Sequence, residues 1–175
     1  MSDTPTMQAA LLEAHGMPFR LATIARPAPG HGEVLVRVAA SGVNPLDTKI
    51  HAGSADHARH PLPAILGIDL AGTVEALGPG VTRFLPGDEV FGMTGGVGGH
   101  PGSLAQYAAV DADLLALKPA NLSMREASVL PLVFITAWEG LVDHAKVHAG
   151  QKVLVHAGAG GVGHAAVQLD RKSVV

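Results

Sequence analysis

The sequence predicts an α/β chain whose N-terminal part is mostly β. Three observations carry this. Apolar and polar residues alternate cleanly over residues 33–40. Short apolar segments, each closed by a Gly- or Pro-containing turn, recur up to about residue 120. After that the pattern changes to helical spacing, then to an apolar run at 152–156 that opens into a glycine-rich turn. Short strands at such spacing describe an all-β module of partly closed barrel type.

Residues 7–12 read as a first strand and 19–24 as a second, with His15-Gly16-Met17-Pro18 between them as the turn. Over 33–40, Val34, Val36 and Val38 share one face, while Leu35 and Arg37 share the other. Ser41-Gly42-Val43-Asn44-Pro45 breaks that strand. A short helix follows over 46–51, with Pro45 suited to its first turn. Residues 52–63, rich in Gly, His and Pro, read as an exposed loop. The strand expected over 68–77 contains Gly72, which signals a bulge or a close backbone approach. Further strands are expected over 89–93 and 103–110, separated by a glycine-rich loop at 95–102. Ser123 and Glu126 have the spacing of a capping box. The run 124–144 then reads as two helical segments interrupted at Pro131. Residues 152–156 are expected to form a buried parallel strand. A helix begins at about Val162.

Composition narrows the function classes. Hydrophobic residues make up 47% and charged residues 15%, enough to bury a core. The formal net charge of −3 and the absence of a Lys/Arg cluster give nucleic-acid binding no electrostatic support. There is no cysteine, so no disulfide framework. The N-terminus lacks a basic segment followed by an apolar one, and no stretch of about 18 apolar residues occurs. A soluble cytoplasmic protein without a membrane partner is the expectation.

Gly158, Gly160 and Gly163 complete a G-x-G-x-x-G pattern, with Ala159, Gly161 and Val162 between them. The pattern is weak alone. Here it follows an expected strand and opens an expected helix, the context it requires. Glycine there permits a tight turn and lets backbone N–H groups approach a pyrophosphate, aided by the positive end of a helix. The bland alternative is a glycine-rich strand-to-helix turn with no ligand. A ribose-binding acid would lie about 20 residues downstream. That is past Val175, so the choice between NAD and NADP is not legible.

Several segments in order resemble one family. They are VRVAASGVNP from Val36 to Pro45 with Leu46-Asp47-Thr48, then Leu66-Gly67-Ile68-Asp69-Leu70-Ala71-Gly72, Pro86-Gly87-Asp88-Glu89-Val90, Phe134-Ile135-Thr136-Ala137, and the glycine loop. Together they resemble the zinc-independent, quinone-oxidoreductase-like medium-chain dehydrogenase/reductases. The resemblance implies a GroES-like β-barrel over residues 1–120, followed over 121–175 by the first strand and helices of an incomplete Rossmann domain. It implies hydride transfer from NADP(H), or NAD(H), to a quinone or an activated enone or carbonyl acceptor. It also implies that Asn44 orients the nicotinamide or the acceptor, and that Thr136 and residues 158–163 contact the cofactor. Each has a local alternative: Asn44 as a turn former before proline, Thr136 as a helix threonine bonded to its own backbone. Zinc-dependent relatives have Cys where this chain has Asn44 and His where it has Ile68. Catalytic zinc generally needs three good N, S or O ligands, so no zinc is expected. Partners are a small-molecule acceptor and, as family members often dimerise, a homodimer.

Other residues read more plainly. His57 with His60, and His144 with His148, have spacings that permit a shared metal, but solvated surface histidines fit better. Tyr107 is assigned to packing. Asp47 and Asp69 are assigned to local hydrogen bonding in turns. A complete βαβ unit needs about 30 residues, so the chain reads as truncated or altered near Asp170, and weak or inactive alone. Two alternatives stay open: a non-enzymatic GroES-like binding module and a nonfunctional fragment.

Overall fold

A computed structural model describes residues 4–94 and 97–173, with side chains through Asp170. Two compact units divide at Val129/Leu130.

The first unit is built from two antiparallel sheets. Strand β1 (Thr6–Leu12) pairs with β2 (Arg20–Ala25) and, on its other edge, with the two-residue β4 (Ala64–Ile65). The larger sheet runs β7-β3-β5-β6-β8, comprising β3 (Glu33–Ser41), β5 (Asp69–Leu77), β6 (Glu89–Met93), β7 (Tyr107–Asp111) and β8 (Leu115–Leu117). The bridge Ala9↔Ala105 and the bond from Ala10 N–H to the Leu104 carbonyl, 2.9 Å, tie one sheet to the other. This is the mostly-β, barrel-like part that the sequence predicts.

The alternating face is real. Val34 and Val36 are buried with Leu70, Val74, Val90 and Val110, and Val38 packs against them. Leu35, on the opposite face, is buried too, while Arg37 is exposed. Gly72 meets both sequence expectations. The β3–β5 register shifts between Val38 and Ala40 opposite it, and a Cβ at Gly72 would collide with the Arg37 carbonyl oxygen.

Helix α1 (Pro45–His51) has proline in its first turn, as expected. Helix α2 (Met124–Ala127) carries the predicted capping box: Ser123 N–H donates to Glu126 Oε2 at 2.9 Å, and Glu126 N–H donates to Ser123 Oγ at 3.3 Å.

Two expectations are corrected here, and two short strands are new. Residues 52–63 are not simply exposed: Ala55, Ala58 and His60 are buried, and Ala55 and Ala58 pack with Leu12, Ile50, Ala64 and Leu66 in a second core. The small side chains let a loop without regular pairing lie against that core. The strand expected from residue 103 starts at Tyr107, because Ser103 and Leu104 instead bond back to Gly67 and Leu66. Strands β4 and β8, of two and three residues, were not anticipated; such short pairings leave no periodic signal.

In the second unit, α3 (Pro131–Trp138) has proline at its start and continues through Glu139–His144 in a wider π-type turn. Helix α4 (Gly161–Ser173) packs against α3, with a Cβ at Gly161 coming within 2.9 Å of Val133 Cγ1. Residues 152–156 form no β-ladder among the described residues, and Leu154 is 81% exposed. This corrects the buried parallel strand expected there: such a strand is defined by its neighbours, and none pairs with these residues among the described ones.

The first testable consequence concerns the barrel core. Leu70→Ala should destabilise the β unit by about 2–5 kcal/mol in urea unfolding, whereas Leu154→Ala should stay within about 0.5 kcal/mol. Similar costs for both would contradict this placement of the core.

Candidate functional site

Two places collect the candidate residues, one in each unit. In the second unit the glycine loop joins the extended residues before it to α4. Its first helical bond runs from His164 N–H to the Gly160 carbonyl, 2.8 Å. The N–H groups of the turn before it have no intrahelical acceptor, as at any helix start. The turn is not made by glycine conformational freedom: Gly158, Gly160, Gly161 and Gly163 all avoid positive φ, and Ala157 takes the left-handed conformation instead, at φ +55°. The glycines act through space. A Cβ at Gly163 would collide with the Ala157 carbonyl oxygen, and Gly161 is pressed against Val133. Gly158 differs, since a Cβ there would meet only Val167 Cγ2, at 3.9 Å. That glycine is free of internal crowding, which leaves the backbone open to an outside group. Thr136 lies on α3 in this unit, its hydroxyl donating to the Leu132 carbonyl at 2.7 Å. The local bond foreseen for a helix threonine is therefore present.

In the first unit, Asn44 stands at the N-terminal flank of α1 and is 5% exposed. Its side-chain Nδ2 donates to Asp69 Oδ2 at 2.9 Å, and its backbone N–H donates to Asp47 Oδ2 at 2.7 Å. Asn44 is thus held by two carboxylates, Asp69 through its side chain and Asp47 through its backbone, that sequence reasoning assigned only to turns. For Asp47 that assignment is right in kind, since it caps α1. For Asp69 it is corrected: the side chain is fully buried and bonds across 25 residues to Asn44. The Asn44–Asp47 spacing of three is the signal that a capping reading would have used. Nothing local marks Asp69.

Asp47 also has an unusual environment. Its Oδ1 is buried and makes no hydrogen bond. Burial raises the Asp47 carboxyl above its ordinary 3.8, while the nearby N–H groups of Asn44 and Ile68 pull the other way. Asp47 lines a groove of about 280 Å³ with Phe19, Gly42, Thr48, His51, Leu66 and Leu104. These residues come from distant parts of the chain, so no sequence pattern announces them.

The histidine readings divide. His57, His144 and His148 are exposed, but His60 is buried, with Nε2 2.8 Å from the His100 carbonyl oxygen. This corrects the surface reading for His60, which instead pins its loop. No cluster of three or more His, Cys, Asp or Glu that could hold a metal ion occurs among the described residues. Tyr107 lies under the Arg26 guanidinium, 4.7 Å from the ring centroid, in a packing role. Among the described residues no helix is long and apolar enough to cross a membrane.

Residues 30–120 match the alcohol dehydrogenase GroES-like domain. The chain belongs to that family. Among solved structures, an alcohol dehydrogenase superfamily protein from Novosphingobium aromaticivorans is 64% identical with a TM-score of 0.94, over 96% of this chain and 51% of that one. A 2-methylene-furan-3-one reductase from Solanum lycopersicum is 41% identical over 152 residues, which is 85% of this chain and 39% of the reductase. A zinc-type alcohol dehydrogenase-like protein from Staphylococcus aureus is 40% identical over 88% of this chain and 46% of that protein. The chain therefore spans about half, or less, of the length of these relatives. Its fold is that of the family: a GroES-like domain followed by the start of a Rossmann domain.

Two predictions follow from this geometry. Ala157→Gly removes a left-handed alanine, which costs about 1–2 kcal/mol, against a smaller entropic loss in the unfolded chain. Trp138 emission should report thermal stability raised by about 0.5–1 kcal/mol, and a lowered stability would show that the alanine is not strained. The second concerns pH. A carboxyl whose folded pKa is raised favours folding below its unfolded pKa, and that contribution is lost as pH rises through the folded value. Relative to Asp47→Asn, the wild-type chain should lose stability as pH rises upward from about the ordinary 3.8. A melting-temperature difference that stays flat across this range would refute it.

Proposed function

We propose that this chain carries the nucleotide-binding loop and part of the acceptor-binding domain of a zinc-independent oxidoreductase that passes a hydride from NAD(P)H to an electron-poor acceptor, a quinone or an activated enone. The observation that carries the reading is the glycine loop. It opens a 13-residue helix, and at Gly158 its backbone is uncrowded. A pyrophosphate needs that combination of accessible N–H groups and the positive end of a helix. The nicotinamide supplies the hydride when bound. The protein contributes positioning: backbone N–H groups of residues 158–163 grip the phosphates, Thr136 faces the cofactor, and Asn44, its amide fixed by Asp69, orients nicotinamide or acceptor.

The donor set speaks against catalytic zinc. Ile68 offers no ligand atom, and Asn44 offers only a neutral amide oxygen in place of a thiolate. Without a Lewis acid, an acceptor already activated by conjugation is the suitable substrate class. The name of the tomato relative, a methylene-furanone reductase, is consistent with such acceptors. We place the protein with the cytoplasmic members of its class and prefer NADP to NAD.

The test is a fluorescence titration of the 175-residue chain with NADPH and NADH. Saturable binding is expected, weakened at least about tenfold in Gly158→Ala, whose added Cβ the loop tolerates but a close pyrophosphate does not. Equal binding by both proteins would remove the loop from the site. A folded chain that binds neither nucleotide would favour the non-enzymatic GroES-like module, which the separate core of the first unit makes physically reasonable.

A further inference from the structure

The second unit leaves apolar surface open on two kinds of element at once. On α3 and the turn that continues it, Phe134, Trp138 and Val142 recur every four residues and are all exposed, with Ile135 beside them. The Phe134 and Trp138 rings stack side by side, centroids 6.4 Å apart and planes 25° from parallel. Further along the chain, Val153 and Val155 are half-buried while Leu154 between them is exposed. That is the alternation of a strand with one face already covered. Yet residues 152–156 form no backbone hydrogen bond with another described residue. Open apolar patches and unpaired backbone of this kind mark interaction surfaces.

Each feature limits what can cover it. A lone helix laid on the α3 stripe would bury the aromatic rings and leave the 152–156 backbone unpaired. A small ligand would leave that backbone unpaired too. An added strand bonds to the free N–H and carbonyl groups and buries Leu154, and an apolar element attached to it can cover the stripe. The Novosphingobium relative carries chain of suitable length: at 64% identity, its match to this chain takes up 51% of its residues. We propose that the open face of α3 and 152–156 docks, in trans, a separate α/β polypeptide like that unmatched half. One of its strands pairs with 152–156, and its apolar side chains cover Phe134 and Trp138. Docking of this kind needs no bound nucleotide, so it stands or falls separately from the oxidoreductase reading.

The unmatched half of the Novosphingobium relative is the probe, coexpressed with the tagged 175-residue chain. The two should co-purify as an equimolar complex by light scattering. Hydrogen exchange at the amides of residues 153–155 should slow at least about tenfold in the complex, and Trp138 emission should shift to the blue. Leu154→Lys puts a charge where the partner packs and should weaken the complex at least about tenfold. Because Leu154 is 81% exposed in the free chain, this variant should melt with the wild type. Failure to co-purify, or a complex that leaves exchange at 153–155 unchanged, would overturn the docking. So would a dimer of this chain with itself that Leu154→Lys dissociates, since the occupant would then be a second copy. If Leu154→Lys does not fold, hydrogen exchange on the wild-type complex decides the matter alone.

Discussion

The close pairing of β3 with β5 is the constraint on which the first unit depends. At Gly72 the two backbones approach so nearly that no side chain fits, and the register shifts beside it. A sheet tolerates this only where one residue has no Cβ. Beyond the shift, Ser41 pairs with Leu70, and Gly42 N–H reaches the Asp69 carbonyl at 3.2 Å. That register delivers Asn44 to the side chain of Asp69. Slipping the pairing by one residue would turn the apolar face of β3 outward and separate the two.

From that point the chemistry is arranged by burial. Asn44 is held on two sides by carboxylates, one through its side chain and one through its backbone. An amide fixed this way loses little freedom when it meets a ligand, which is what a positioning group requires. Asp47 bears a cost, since its Oδ1 is buried without a hydrogen bond. Functional sites often retain such unsatisfied groups while the rest of a structure satisfies them.

The second unit follows other rules. Its helices pack closely, with Gly161 against Val133, and in its glycine loop the left-handed angle falls on Ala157 while Gly161 and Gly163 serve close approach. The 152–156 segment meanwhile remains unladdered and Leu154 exposed. Strand structure is a property of pairs, so an apolar run expected to be a buried parallel strand forms none where no neighbour pairs with it among the described residues.

The sequence by itself determined the elements that obey local rules. Alternation placed β3, proline placed the start of α1 and α3, the Ser123–Glu126 spacing placed α2, and Gly72 announced its bulge. It also supplied the glycine loop and the family resemblance, because those are patterns along the chain. Tertiary structure alone decided the rest. It buried His60 and the small residues near it, bonded Asp69 to Asn44 across 25 residues, and gathered Phe19, Asp47, Leu66 and Leu104 around one groove. Hydrogen bonds and apolar contacts between distant residues leave no periodicity in a sequence, since each is set by where the backbone returns and not by what precedes it.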